Sequence, residues 1–243
     1  MRFFITGILG QLGATIMRML PAGTSSGNDL PDFDITGIEQ VRKAIGAAEP
    51  DVVIHCAAFT DVDGCARDPE KAQLVNATGT RNVATVCAER GAAMVLLSTN
   101  EVFDGHSAKP YIETDEPAPI NSYGQSKLHA EWHTRELLER YYIVRTSWIY
   151  SAAGSNFVHK IRHLADRGES FAIVTDEFGV PTYASDLARA IIELVEIAPY
   201  GIYHLVNSGH TSRFGLARTV LDLSGHRSVQ IRPILLKDYE RAS

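Results

Sequence analysis

Tyr123 and Lys127, four apart in the segment YGQSK, are residues whose types and spacing suit acid–base chemistry. In a helix that spacing places both side chains on one face. A free phenol titrates near about 10, too high for service at neutral pH. An ammonium beside it, with the positive charge of an oxidised nicotinamide, favours phenolate and lowers that value. In the reducing direction the phenol gives its proton to a carbonyl oxygen while hydride attacks the carbon. The lysine can also bridge to the nicotinamide ribose. Alone, the pattern is common and reads equally as an exposed helix pair; its place behind a glycine loop and a series of strands gives it meaning. Ser98-Thr99 ends an apolar run, where a hydroxyl can donate to the substrate carbonyl and stabilise developing charge. With a strand over 93–98, Thr99 is the first residue to emerge and is preferred to Ser98; a capping hydroxyl is its plainer role.

A dinucleotide is implied by Gly7, Gly10 and Gly13 in TGILGQLG, directly after the apolar run Arg2–Thr6 and at the start of a helical pattern over Leu12–Leu20. The glycines fall at positions one, four and seven of the loop, where the usual fingerprint has one, three and six. The physics is shared: a tight turn, backbone close to a pyrophosphate, and a helix N-terminus that favours an anion. The acid that holds an adenosine ribose belongs at the end of the second strand, and Asp29 fits that place, although a plain loop aspartate reads the same. No arginine stands between Arg18 and Arg42, which tilts the choice toward NADH while leaving NADPH open.

These groups need a scaffold, and the first half of the chain supplies one. Helical patterns over Ile38–Ala48, Pro69–Arg90 and Asn121–Glu139 alternate with continuous apolar runs at Asp51–Cys56, Ala93–Ser98 and Tyr141–Thr146. Any second strand within Ala22–Pro31 is weakly written. Such alternation predicts an α/β fold: a doubly wound, Rossmann-type parallel sheet with its ligand site at the carboxyl ends of the strands. Residues 1–150 form the dinucleotide-binding domain in this reading. Residues 151–243 form a smaller substrate lobe, partly interleaved with the sheet, with helices at Asn156–Arg167, Ser185–Ile197 and Ser212–Ser224 and short strands near Phe171–Val174 and Ile202–Leu205.

Composition narrows the partners. The 243 residues are 45% hydrophobic and 21% charged with a net charge of −6, so there is no basic surplus for nucleic acid. The longest apolar runs are too short to span a bilayer. Cys56, Cys65 and Cys87 lack metal-ligand spacing, the nine histidines suggest no zinc site, and no signal peptide fits the start. The expectation is a soluble, cytoplasmic protein with no metal, and a homodimer is the assembly considered.

At this point a resemblance enters. The segments TGILGQLG, FDIT (33–36), CAAFTDVD (56–63), VNATGTRNVA (75–84), STNEVF (98–103), YGQSKLHAE (123–131), RTSWIY (145–150), NFV (156–158) and DEFGVPTYASDLA (176–188) run in order along nearly the whole chain. Together they resemble the dTDP-4-dehydrorhamnose reductase family of extended short-chain dehydrogenase/reductases. The resemblance implies reduction of the 4-keto group of a nucleotide-linked 6-deoxysugar, a nucleotide sugar being the partner. It puts Gly10, Gln11 and Leu12 around the pyrophosphate and Asp34 and Ile35 beside the adenine. Ala58, Phe59 and Thr60 line the cofactor cleft, with Leu97 behind the nicotinamide. Thr99, Tyr123 and Lys127 fall on catalytic positions, and Asn100 and Trp148 on substrate-contacting ones.

Departures accompany the likeness. Asn100-Glu101 replaces the usual aspartate–tyrosine pair beside the sugar pocket, Glu177-Phe178 departs from DQ-x-G-x-PT, and Ser151 replaces a glycine. The chain closes at Ser243 after DYERAS, several tens of residues before the family's usual end, so the lobe is abbreviated or the sequence is a fragment. Two other functions remain in view. One is a cofactor-binding regulatory subunit, like that of methionine adenosyltransferase in the same superfamily. The other is a nucleotide-sugar epimerase or dehydratase that recycles bound NAD, of which Glu101 is a partial echo. Structural roles are expected for His55 and Asn76, and capping or ion-pair roles for Asp61 and Asp63. Arg145 suits a phosphate or a buried ion pair equally.

Overall fold

The computed structural model describes residues 1–239; the closing 240–243, at the end of DYERAS, lie outside the described residues. The elements run β1 (Phe3–Thr6), α1 (Gln11–Met19), β2 (Ser25–Asn28), α2 (Ile38–Ala48), β3 (Val52–His55), α3 (Val62–Arg67), α4 (Pro69–Ala72), a π-helical turn (Gln73–Thr78), α5 (Gly79–Arg90), β4 (Ala93–Thr99), a 3-10 turn (Asn100–Val102), α6 (Ser122–Leu137) and β5 (Tyr141–Thr146). Beyond them come β6 (Ile149–Tyr150), α7 (Phe157–Asp166), β7 (Phe171–Val174), β8 (Phe178–Gly179), β9 (Thr182–Tyr183), α8 (Ala184–Ile197), β10 (Gly201–His204), β11 (Thr211–Ser212), α9 (Arg213–Leu223) and β12 (Ile231–Ile234).

Six parallel strands form the central sheet in the order β10-β5-β4-β3-β1-β2. Period-two alternation sends successive side chains to opposite faces. Phe3, Ile5, Val95 and Leu97 therefore join α1 and α8 in one core, while Phe4, Val53, Met94 and Leu96 join α2, α5 and α6 in the other. Burial on both faces is why these strands read as continuous apolar runs. The chain leaves β1 for β2 on one side and returns to β3 on the other. That reversal opens a crevice at the carboxyl edge, where the glycine loop lies.

Several elements depart from the sequence reading. β2 is the sequence SSGN, without apolar residues, and stands because it pairs in register with β1. The single helix expected over Pro69–Arg90 is three consecutive pieces, with the π-turn in the middle. β4 runs one residue further than expected and takes Thr99 into the strand. After β5, a small cluster of Ile161, Ala165, Ala217, Val220 and Leu221 packs α7 against α9. Three two-stranded pairings, β6 with β9, β8 with β11 and β7 with β12, lie outside the main sheet. α8 and β10 return to it. Among the described residues, no helix is long and apolar enough to cross a membrane.

Candidate active site

The glycine loop owes its shape to two contacts. Gly7 has φ +75°, and a Cβ there would stand 2.7 Å from the Ala57 amide nitrogen. Gly13 sits on the Gly7 carbonyl so closely that a side chain would displace the helix from the loop. Gly10 is the N-cap of α1 and supplies no side-chain cap, so the amides of Gln11, Leu12 and Gly13 point from the helix start without a capping partner. Uncapped first-turn amides and the helix dipole suit a pyrophosphate, and the residues present fit a dinucleotide.

Asp29 stands just beyond β2, and its carboxylate accepts the Leu9 and Leu30 amides, each at 2.8 Å. It thereby ties the glycine loop to the second strand, and its remaining lone pairs suit a ribose hydroxyl. The Gln11 side chain is committed elsewhere. Its Oε1 lies 2.9 Å from both Ser151 Oγ and Asn156 Nδ2, and its Nε2 donates to the Ser155 carbonyl at 3.2 Å. Gln11 thus offers its backbone to an anion while its side chain stitches the loop to the segment after β6. Asp34 accepts the Thr36 amide at 2.8 Å, and Ile35 is buried in the core beneath Gly79.

The 58–60 segment is held by a residue expected to be merely structural. Asn76 Oδ1 accepts the Phe59 amide at 2.7 Å, and its Nδ2 donates to the Phe59 carbonyl at 3.0 Å and to Ser126 Oγ at 2.9 Å. The π-turn carries Asn76, and such turns recur at functional sites. Ser126 lies between Tyr123 and Lys127, so one side chain links the cleft loop to the helix bearing both. His55 is buried between Thr6 and Thr80. Thr80 spends its proton on the Asn76 carbonyl at 2.6 Å, which makes Nε2 the protonated nitrogen of His55. Burial, helped by the Lys127 charge, lowers its pKa to about 3, so the ring is neutral.

Tyr123 lies in the first turn of α6, and Thr99 closes β4. Their side chains meet closely enough for the Thr99 hydroxyl to act on the phenol. Ser98, the other candidate hydroxyl, turns instead to Glu131 at 2.5 Å. Contrary to the lowering expected from Lys127, burial raises the pKa of the Tyr123 phenol above its ordinary value; the Thr99 hydroxyl opposes this, the Glu101 charge adds to it, and Lys127 is not among the groups that shift it. Lys127 is only 3% exposed, and burial lowers its ammonium pKa to about 8 against the pull of Glu131 and Cys56. At neutral pH the pair is therefore a protonated phenol and an ammonium one helical turn apart.

Glu131 extends the same four-residue stripe and was not anticipated, although its spacing from Lys127 equals that of Lys127 from Tyr123. Arg145 donates to it through Nε at 3.0 Å and Nη2 at 2.8 Å, the two side chains being 4% and 1% exposed. Of the two expectations for Arg145, the buried ion pair is what the structure has. A charge in the apolar strand YYIVRT was the available signal, because a buried charge requires a partner.

Leu97 lies in the core beneath the site, and Asn100 donates to Glu101 at 3.5 Å. Trp148 follows β5 with φ +44°, a left-handed conformation costly for a bulky residue. Its ring lies between Gly179, where a Cβ would come within 2.5 Å, and the Arg213 guanidinium at 3.7 Å. Arg213 in turn donates to Glu177 at 2.9 Å. Asp61 pairs with Arg67 at 3.6 Å.

Three comparisons bear on this geometry. The family described as RmlD substrate binding domain matches residues 1–243. The spore coat polysaccharide biosynthesis protein SpsK of Bacillus subtilis is 38% identical over 92% of this chain and 80% of its own. The dTDP-4-dehydrorhamnose reductase of Escherichia coli is 36% identical over 91% of this chain and 78% of its own. Among solved structures, dTDP-4-dehydrorhamnose reductase from Bacillus anthracis in complex with NADP superposes with a TM-score of 0.95 at 37% identity, covering 100% of this chain and 86% of that one.

Proposed function

The chain belongs to the RmlD substrate binding domain family, that of the dTDP-4-dehydrorhamnose reductases, and from this premise we propose that it reduces the 4-keto group of a nucleotide-linked deoxysugar with NADH or NADPH. The observation that carries the reading is the meeting of Thr99 and Tyr123 at the carboxyl edge of the sheet, with burial keeping the phenol protonated. A reductase needs its donor loaded before reaction, and a raised phenol pKa keeps it so. Tyr123 gives its proton to the C4 oxygen. Thr99 donates a hydrogen bond to the same oxygen and stabilises the charge that builds there. Lys127 holds a positive charge beside the phenolate that remains. Bound NADH or NADPH supplies the hydride.

The residues that would hold that cofactor are the loop Gly7, Gly10, Gln11, Leu12 and Gly13, with Asp29 on the ribose side, Asp34 and Ile35 at the adenine, and Ala58, Phe59, Thr60 and Leu97 along the cleft. Residues 1–150 serve the cofactor. The segment after Ser151, apart from α8 and β10, serves the sugar nucleotide, with Trp148 and Asn100 at the boundary. In the test, purified protein is mixed with either cofactor and dTDP-4-dehydrorhamnose, and nicotinamide absorbance is followed. Stoichiometric loss is expected. Silence with every 4-keto nucleotide sugar tried overturns the reading, and turnover without net oxidation assigns the chain to the reactions that recycle their cofactor.

A further inference from the structure

Glu101 has no part in the chemistry just described, yet it touches both elements that carry it. Its amide donates to Thr99 Oγ1 at 3.2 Å. Its carboxylate accepts Asn121 Nδ2 at 2.8 Å, and Asn121 Oδ1 caps α6 by accepting the Gly124 amide at 2.7 Å. Its carbonyl oxygen lies against Gly124 so closely that any side chain there would drive α6 away. Asn100 braces the other carboxylate oxygen at 3.5 Å. The 3-10 turn is thus fastened on one side to the last residue of β4 and on the other to the first turn of α6.

We propose that Glu101 is a positioning residue for the reduction: it fastens the N-terminus of α6 to the end of β4, fixing the Tyr123 phenol against Thr99 and setting a negative charge beside the proton donor. This inference rests on the reductase reading. Its first consequence is geometric, because proton transfer tolerates little displacement of the donor. Its second is electrostatic. The groups acting on the phenol are Thr99 from β4, Glu101 from the 3-10 turn and Cys65 from α3; Lys127 stands one turn along α6. Of these, Glu101 is a carboxylate whose field opposes ionisation, so it keeps the donor protonated to higher pH.

Two variants separate the consequences. Glu101→Ala removes the clamp and the charge, and is expected to lower kcat about tenfold or more with the cofactor KM unchanged. Glu101→Gln keeps an oxygen for Asn121, recovers most of that loss, and still moves the alkaline limb of the rate profile to lower pH by about half a unit or more. A readout that needs no turnover accompanies these: phenolate absorbance of Tyr123, taken as the difference from Tyr123→Phe, with and without Glu101→Gln. Tyr123 is expected to ionise at lower pH in the glutamine background. An unmoved limb and an unmoved phenolate titration overturn the proposal. Equal kcat losses in both variants without a pH shift do so too, since they would make Glu101 a substrate contact. If the unsubstituted protein reduces no 4-keto sugar, the reductase reading fails by itself, and the phenolate titration still decides whether Glu101 acts on Tyr123.

Discussion

The junction of β4, β5 and α6 and the small pairings beyond Trp148 adjoin each other and are held by different forces. The first is built around the wholly buried β4, with Thr99, Lys127, Glu131 and Arg145 all buried in it. The second rests on strand pairings of two to four residues, the small cluster between α7 and α9, and an Arg213–Glu177 pair left 25% and 23% exposed. A proton donor must be fixed to a fraction of an ångström, and interior packing around a buried ion pair gives that. Recognition of a sugar nucleotide can use contacts that exchange with solvent. The departures at Glu177 and Ser151 lie in or beside the second region, Glu177 paired with Arg213 and Ser151 buried against Gln11.

The contrast breaks or holds first at Glu131. Glu131→Ala strands the Arg145 guanidinium in the interior, and stability is expected to fall by about 3–5 kcal/mol in denaturant unfolding. A loss under about 1 kcal/mol would mean that the junction is not held by its buried pair. Next comes the chemistry. Tyr123→Phe is expected to lower kcat by about 100-fold or more, about 3 kcal/mol of barrier, while unfolding and cofactor binding stay as they were. Activity that survives the loss of the hydroxyl removes Tyr123 as the donor.

Lys127 sharpens the comparison by showing what a precise site costs. Its folded pKa of about 8 lies below its ordinary 10.5. Between these values the unfolded chain binds more protons, so this residue's contribution to stability rises with pH; its penalty is complete below about 8 and gone above about 10.5. The buried thiols act oppositely, since Cys56 and Cys87 are pushed up to about 12 and their share of stability falls as the unfolded thiols ionise. The difference between the unsubstituted protein and Lys127→Met isolates the lysine. The variant is expected to be more stable by about 3 kcal/mol at neutral pH, with the gap closing toward pH 10.5. A gap that stays constant with pH means the ammonium is not desolvated.

The same division governs what could be read from residues alone. The β3, β4 and β5 strands were legible because a sheet covered on both faces demands unbroken apolar runs, and Tyr123 with Lys127 because helix geometry turns a spacing of four into adjacency. β2 was not, since SSGN takes its conformation from pairing with β1. The π-turn was invisible because one extra residue per turn leaves hydrophobic periodicity nearly intact. With it went the clamp of Asn76 on Phe59, which depends on contacts across 17 residues. The strands beyond Trp148 are two residues long at most sites, below any periodic signal.

The smallest expected effect tests the second region itself. Arg213 lies 3.7 Å from the Trp148 ring and 2.9 Å from Glu177, so its removal deletes a cation–π contact and an ion pair about a quarter exposed. Such contacts contribute about 0.5–1 kcal/mol each where solvent reaches them. Arg213→Ala is therefore expected to lower stability by about 1 kcal/mol, a few degrees in thermal melting. Trp148 keeps its left-handed backbone and its packing on Gly179 but loses the cover on its other face. Substrate KM should rise while kcat holds, the signature of binding lost equally from ground and transition states. If Arg213→Ala instead destabilises as much as Glu131→Ala, the lobe is as rigid as the junction, and the division of labour between them has no physical basis.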